Sequence, residues 1–496
     1  MPPVTPPPSE SPEVSWRDRQ VGAIGVAVRH LLTRPLVTCA TETTIRDAAR
    51  LMADADAPSA VVLEERSRPI AIITDSDLRQ VLAAGRDPGA AVDTIASRPL
   101  VTVDADAFAF EAAQAMLANR LHHLVVLDGD QTIGVIADGD LMAAQAGGPL
   151  FVARQIDRAQ TIDRLVDLGP ARVQAVSLLT HAGLSGEAIG RLTAETNDHL
   201  ARRILALLEA ELGPPPVKYC WLGLGSEGRR EQGLRTDQDN ALVYADPPDD
   251  LAGMAASYFK TLAERAVAAI ERCGFPRCAG GMMASNPAWR LPLAGWRHRF
   301  LAWVRRPEPD ALLGAEIFFD LRGLAGDPGL AAQLWDDLLD WIADAPLFRQ
   351  LLLGAALDHR PAIGLFGRFA LERHGEHRGS FHVKHRGVMP VVELARAYAL
   401  AVGIRETNTF ERLRLLAAHG AIPHSDADDV LAAYERLSQL RFAQHVEQVE
   451  AGRELHDYVD PGRLPRVERQ ALREHLRVIE EIQAYVRGQV AVGGHG

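Results

Sequence analysis

Cysteine is scarce. Cys39, Cys220, Cys273 and Cys278 are the only four in 496 residues, and none forms a C-x-x-C pair. Such usage fits a reducing compartment, with the thiols buried or incidental, and a cytoplasmic location is expected. Long apolar runs are absent too. No stretch of 18 or more apolar residues occurs, so no transmembrane helix and no membrane partner are expected. The first residues are rich in Pro, Ser and Glu and lack a basic stretch followed by an apolar one, so they do not read as a signal peptide. Residues 1–20 are expected to be a disordered tail. Basic excess is the third absence. Lys and Arg number 53 against 65 Asp and Glu, a formal net charge of -12, which disfavours non-specific binding to nucleic acid.

What is present is globular. The chain is 47% hydrophobic and 24% charged, and its length suits roughly three domains at ~150 residues each. Near the N-terminus the string Arg34-Pro-Leu-Val-Thr38 returns 64 residues later as Arg98-Pro-Leu-Val-Thr102. After each copy come a helical pattern (Thr44 to Ala53; Ala107 to Ala118) and an apolar strand (Ala60 to Leu63; Leu124 to Leu127). A turn, a second strand and a helix start follow: Ile70-Ala-Ile-Ile-Thr-Asp-Ser-Asp77 and Ile133-Gly-Val-Ile-Ala-Asp-Gly-Asp140. One such unit cannot bury both faces of its small sheet, whereas two packed together can.

These residues resemble the CBS domain, and the two copies, over about residues 22–145, resemble a CBS pair. The resemblance implies an adenine nucleotide held by a Thr or Ser at the end of the second strand and an Asp three residues on. Thr74 and Asp77 occupy those positions in the first copy; the second keeps Asp140 but has Ala137 in place of the hydroxyl. A hydroxyl and a carboxylate at a strand-to-helix junction can hold phosphate and ribose. They can equally cap the helix.

Residues 151–212 read as helices, with Ser185 a good N-cap and Gly213-Pro-Pro-Pro216 a stop. The informative segment runs from Tyr219 to Tyr244. Gly223-x-Gly225-x-x-Gly228 follows an apparent strand, and Asp246 falls near the place of a ribose-binding acid. A dinucleotide-binding unit nevertheless needs a real crossover helix packed on its sheet. Between Arg229 and Asp239 only Leu234 is strongly apolar, and Gly233 interrupts the run.

Gly225-Ser226 and Asp237-Gln238-Asp239 suggest different chemistry. Side chains two apart on a strand share a face, so two carboxylates there can share divalent cations, which prefer oxygen ligands. A metal pair can clamp the attacking and leaving oxygens of a phosphoryl displacement. The Gly-Ser turn offers backbone N–H groups and the Ser226 hydroxyl to a triphosphate, and Arg229 and Arg230 can neutralise phosphate charge. The pattern resembles the nucleotidyltransferase fold of the DNA polymerase beta superfamily. More narrowly it resembles the family found beside CBS pairs in bacterial signal-transduction proteins, which is similar to the PII-protein uridylyltransferases. The strings carrying it are Gly225 to Gln232, Thr236 to Ala241, Gly280 to Arg290 and Ile317 to Arg322; with the C-terminal domain the likeness covers about residues 160–485. It implies a third carboxylate from a later strand, for which Asp320 after Ile317-Phe-Phe319 is the candidate, with a local pair to Arg322 as the plain alternative. Gly280-Gly281 and Asn286-Pro287 are turn chemistry, and Trp289 and Arg290 are candidates for the edge of a nucleotide pocket.

From about residue 330 the pattern is helical, as in Leu334 to Ile342, Val391 to Val402, Thr409 to Ala418, Asp426 to Val449 and Arg466 to Val486. This resembles the helical substrate-binding domain of the same family. A loop from Arg373 to Arg386 carries His374, His377, His382 and His385 at spacings that fit no zinc pattern. Lys384 matches a family lysine and is a candidate phosphate ligand; His382 stands where the family usually has an acid.

The expected fold is multidomain α/β plus all-α. It comprises a tail (1–20), a tandem CBS pair (21–146), a helical connector (147–213), a polymerase-beta-like nucleotidyltransferase domain (214–330) and a C-terminal helical bundle (331–490). The expected function is CBS-regulated transfer of a nucleoside monophosphate from UTP or ATP to an acceptor hydroxyl, on a protein, in signal transduction. Asp237, Asp239 and Asp320 would hold Mg2+, with Mn2+ as an alternative; Gly225, Ser226, Arg229, Arg230 and Lys384 would hold the nucleotide. A homodimer is expected. The rival is a non-catalytic sensor of adenine nucleotides that retains the transferase fold.

Overall fold

The computed structural model describes residues 27–32, 34–64, 68–144, 148–364 and 367–493; the expected N-terminal tail lies outside them. The chain divides into two compact units between Arg154 and Gln155, inside the helix Pro149–Arg158.

The first unit repeats one motif. In the first copy β1 (Thr38–Ala40), α1 (Ile45–Asp54), β2 (Ser59–Glu64), β3 (Arg68–Thr74) and α2 (Asp75–Ala83) follow in order. In the second, β4 (Thr102–Asp104), α3 (Ala109–Asn119), β5 (His123–Asp128), β6 (Gln131–Ala137) and α4 (Asp138–Ala144) do the same. Each sheet pairs its first two strands parallel and its last two antiparallel, with matching registers. Thr44 starts α1 by accepting from the Asp47 N–H, as the sequence pattern leads one to expect. Ile45, Ala48, Met52, Val62 and Ile73 join one apolar cluster, so the periodic residues of the helix meet the alternating residues of the sheet.

The helix α5 (Pro149–Arg158) carries the division, and α6 (Ile162–Val166), α7 (Gly169–His181) and α8 (Gly186–Leu212) open the second unit. Ser185 caps α8 through the Ala188 N–H, and Gly213, at φ 84°, ends it. A four-stranded sheet follows, built from β7 (Tyr219–Gly223), β8 (Asn240–Tyr244), β9 (Arg290–Pro292) and β10 (Arg322–Gly326) in the order β10-β7-β8-β9. The turn α9 (Gly225–Gly228) follows β7, and α10 (Asp249–Arg272), α11 (Leu293–Arg305) and α12 (Pro309–Phe318) fill the gaps between strands. β7 and β8 are antiparallel, so Gly223-x-Gly225-x-x-Gly228 does not open the parallel crossover that a dinucleotide fold requires. The sheet is covered on both sides. Cys220, Leu222 and Val243 share a cluster with Trp296, Phe300 and Leu334, while Tyr244 stacks on Phe259 of α10 and Tyr219 packs tilted against it.

The helical remainder contains α13 (Pro328–Ala343), α14 (Pro346–Ala355), α15 (Met389–Ala401), α16 (Thr409–Ala418), α17 (His424–Glu450) and α18 (Arg466–Gly493); the short strands β11 (Phe381–His382) and β12 (Tyr458–Val459) pair antiparallel. Residue 330 is not a packing boundary. The core that holds Leu222 and Phe319 also holds Leu338, Leu352, Leu400 and Val486, so helices from beyond 330 complete the core under the sheet.

Candidate functional site

The site starts at the turn after β7. Gly225 takes φ 49°, and a Cβ on it would lie 3.4 Å from the Asp239 carboxylate. A Cβ on Gly228 would fall 1.8 Å from the Asp320 carbonyl oxygen, so that position admits only glycine. Neighbours hold the turn. Leu224 N–H donates to the Asp239 carbonyl at 2.9 Å. The Thr407 hydroxyl donates to the Gly228 carbonyl at 2.9 Å, and Arg322 donates to the Glu227 carbonyl at 3.0 Å. Ser226 Oγ lies 3.5 Å from Thr236 Oγ1 and stays partly exposed.

Asp237 and Asp239 lie in the extended segment just before β8. Gln238 between them points the other way and anchors the segment: its amide donates to the carbonyls of Phe275 (2.9 Å) and Val267 (3.1 Å). The strand alternation therefore puts an anchor on one side and two carboxylates on the other. Asn240 ties the start of β8 to a second segment, through Met282 O (3.0 Å) and the Ala284 N–H (2.9 Å). That brings in Cys278, whose thiol and the two carboxylates have ligand atoms all within 4.8 Å of one another. Burial and the Asp237 charge push Asp239 up to about 6, against a hydrogen bond from Cys278. Burial and Asp239 push the Cys278 thiol up to about 11.

Lys384, more than 140 residues away in sequence, comes into electrostatic range of both acids. Its pKa is lowered by burial and by Arg441, with Asp237, Asp457 and Asp239 opposing. It sits in a π-helical turn that runs directly into α15. Around it Asp457 accepts from Arg441 (2.6 Å) and pairs with His445 (3.0 Å), which holds its carboxyl well below the usual range although burial alone would raise it. Of the loop histidines, His382 and His385 lie 4.3 Å apart between ring centres, and His377 stacks on Tyr458 at 3.8 Å. Burial, His385 and Lys384 push His382 down to about 4, so it is neutral at physiological pH.

Four expected site residues, Asp320, Arg229, Trp289 and Arg290, do other work. Asp320 follows a helix, not a strand, and is fully buried. Arg396 donates to both its oxygens (3.1 and 2.6 Å), and Arg412 (2.6 Å) and Arg229 (2.5 Å) add one bond each. No lone pair remains directed at a cation, so Asp320 is not the third metal ligand. Nor does it pair with Arg322, which grips Asp198 at 2.6 and 2.9 Å. Arg229 is itself buried between Asp320 and Glu231 and cannot meet a phosphate. Trp289 packs against Phe318 at 4.5 Å with Arg299 over its face, and Arg290 donates to the carbonyls of Ala284 and Ser285; both brace the loop. Arg230, at φ 58°, is partly exposed and lies 3.6 Å from Glu195.

In the first unit, the Thr74 hydroxyl and N–H both donate to Asp77 at 2.8 Å. Among the described residues Asp140 accepts just the Ala137 N–H, at 2.9 Å. Each Asp thus caps its own strand-to-helix junction, and a ribose would have to share it. Away from these places, a cavity of about 380 Å³ between α15, α16 and α18 is lined mainly by apolar residues such as Leu394, Leu416 and Ile482.

Residues 172–310 match the family described as "Putative nucleotidyltransferase DUF294", residues 346–490 match the "Putative nucleotidyltransferase substrate binding domain", and residues 28–84 and 92–147 match the CBS domain. The chain combines a CBS pair with a nucleotidyltransferase-family domain and that family's substrate-binding domain. Curated relatives align over about the length of the CBS pair. An uncharacterized protein of Methanopyrus kandleri is 28% identical over 131 residues, 26% of this chain and 65% of that protein. One of Methanocaldococcus jannaschii is 30% identical over 126 residues, 25% of this chain and 66% of that protein. The chain thus spans about two thirds of the length of these two. A CBS domain-containing protein of Bacillus subtilis is 28% identical over 120 residues, 24% of this chain and 85% of that protein. Among solved structures, a CBS domain protein from Pyrobaculum aerophilum complexed with AMP is 27% identical, covers 23% of this chain and 89% of its own, and has a TM-score of 0.22. Among the described residues no helix is long and apolar enough to cross a membrane.

Proposed function

We propose that the second unit transfers a nucleoside monophosphate from a nucleoside triphosphate to an acceptor hydroxyl, and that the CBS pair regulates it by binding an adenine nucleotide. The observation that carries the reading is the gathering of Asp237, Asp239 and Lys384 beside the Gly225-Ser226 turn. The acceptor hydroxyl releases its proton to solvent as its oxygen attacks the α-phosphorus, the bond from that phosphorus to the β-bridging oxygen breaks, and pyrophosphate leaves. Asp237 and Asp239 fit Mg2+ or Mn2+, because the pair offers clustered carboxylate oxygens whose mutual repulsion a cation would relieve. Such a cation would neutralise charge developing on the phosphates. The Ser226 hydroxyl and the turn's N–H groups would receive the triphosphate, and Lys384 would face it from the helical half. Cys278, a neutral thiol, takes a third place beside the acids but adds no charge. In keeping with the family likeness, the acceptor hydroxyl would belong to a protein.

The test is pyrophosphate release by the full-length chain from UTP and from ATP, with Mg2+ and cell extract as the acceptor source. Asp237→Asn and Asp239→Asn should each lower the rate about a thousandfold or more, equivalent to ~4 kcal/mol. Unchanged turnover would remove the mechanism. One observation favours a second reading, a nucleotide sensor without transfer: with Asp320 committed to arginines, the cluster has two acids. Triphosphate binding with no transfer to any acceptor would select it. For the CBS pair, Asp77→Ala should weaken AMP binding about 10–150-fold by calorimetry. No AMP binding by the unmodified chain would end that half of the proposal.

A further inference from the structure

A second group of metal-ligating side chains lies apart from the transferase acids. Glu316 comes from α12, His359 from the turn after α14 and Glu393 from α15; their ligand atoms all lie within 4.8 Å of one another. Glu393 is only 2% exposed. One of its carboxylate oxygens accepts from Arg396. The other, Oε1, is buried and has no hydrogen-bond partner among the described residues. A buried carboxylate oxygen left unpaired is costly, and native proteins rarely leave one so without an ion, a water or a proton to account for it.

We propose that Glu316, His359 and Glu393 bind a divalent transition-metal ion, with Zn2+ the best fit. The donor set decides the class. An imidazole nitrogen with two carboxylates suits Zn2+, whereas Mg2+ and Ca2+ favour all-oxygen surroundings. Three protein ligands leave a fourth position open. The charge is suitable as well: when ionised, the two carboxylates outnumber the one guanidinium beside Glu393. The ion would pin α12, the turn after α14 and α15 together. Its effect would extend further, because Arg396 on α15 also holds both oxygens of Asp320 beneath the Gly225–Gly228 turn. The rival explanation of the bare oxygen is a proton shared between the two glutamates, which needs no metal. None of this depends on whether the chain transfers nucleotides.

The experiment uses the full-length chain carrying Asp237→Asn and Asp239→Asn, so that the transferase acids do not contribute. After chelator treatment and dialysis, Zn2+ binding is measured by calorimetry and bound metal by elemental analysis, with the melting temperature recorded with and without Zn2+. One Zn2+ per chain and a raised melting temperature are expected. Adding His359→Ala or Glu316→Gln, both at half-buried positions, should weaken binding about a hundredfold or more, since loss of even an outer partner costs 10–100-fold. Either variant can be confirmed as folded by its melting transition without metal. No Zn2+ binding, binding unchanged by both substitutions, or complete displacement of Zn2+ by millimolar Mg2+ would overturn the proposal.

Discussion

Asp239 and Asp320 both press against the Gly225–Gly228 turn, one at each end, yet their surroundings drive them in opposite directions. Asp239 has a second carboxylate for a neighbour; burial and Asp237 push it up to about 6. Asp320 is buried more completely, which alone would raise it, but Arg396, Arg412 and Arg229 hold it well below the usual carboxylate range. A charge satisfied by three guanidinium groups is architecture: it ties β10, the turn, α15 and α16 into one body. A charge left against a like charge is a cost to the fold, and such places are where ligand chemistry is found.

The comparison breaks most sharply at Asp320. Asp320→Asn leaves three buried arginines short of their counter-ion, and breaking one side of a buried network costs about 3–5 kcal/mol. Urea unfolding of the full chain should register this loss, and Asp320→Glu should recover part of it. A loss below about 1 kcal/mol would mean that the arginines are balanced by other acids. At the opposite end the sign should invert. Asp239→Asn removes a like-charge repulsion and should stabilise the apo chain at pH 7.5 by roughly 1–2 kcal/mol, after discounting for its partial exposure. Destabilisation of Asp320's magnitude in both variants would erase the distinction drawn here.

The smallest expected effect sharpens the middle ground. Glu227 lies inside the turn, half-buried, and burial with the charges of Asp198 and Asp239 pushes it up to about 8 against Arg322. Between pH 4.5 and 8 the folded chain keeps this proton while the unfolded chain loses it. Stability from this group is therefore full below about pH 4.5 and is lost as pH rises through about 8. Glu227→Gln has no such slope. Its melting temperature relative to the unmodified chain should rise across that window and then level, by about 1–2 °C if the discounted effect is ~1 kcal/mol. A flat difference from pH 4.5 to 9 would place Glu227 in solvent.

Much of this is legible in the sequence. The 64-residue repeat predicts two equal units, each with a small sheet, because the periodicities that bury α1 and β2 are local. Ser185, Gly213 and the period-2 spacing of Asp237 and Asp239 were local as well. The strand expected before Asp320 is a helix: Ile317-Phe318-Phe319 is apolar throughout and carries no period, Pro309 starts the helix, and Phe318 and Phe319 are apolar because they pack on Trp296, Trp303 and Phe348. Cys278 gave no signal, since a lone cysteine in a glycine-rich turn has no pattern to read. Only the hydrogen bonds of Gln238 and Asn240 to the segments flanking it bring it beside the acids.

The sequence by itself determined the elements, the repeat, the Gly-Ser turn and the paired carboxylates, because helix and strand periods, caps and turns are properties of neighbouring residues. Tertiary structure alone decided which charges are spent and which remain. Asp320, Arg229, Arg396 and Arg412 are scattered over 184 positions and meet in one buried knot. A Coulomb interaction depends on distance and dielectric in the folded chain, and neither is written in the order of the residues.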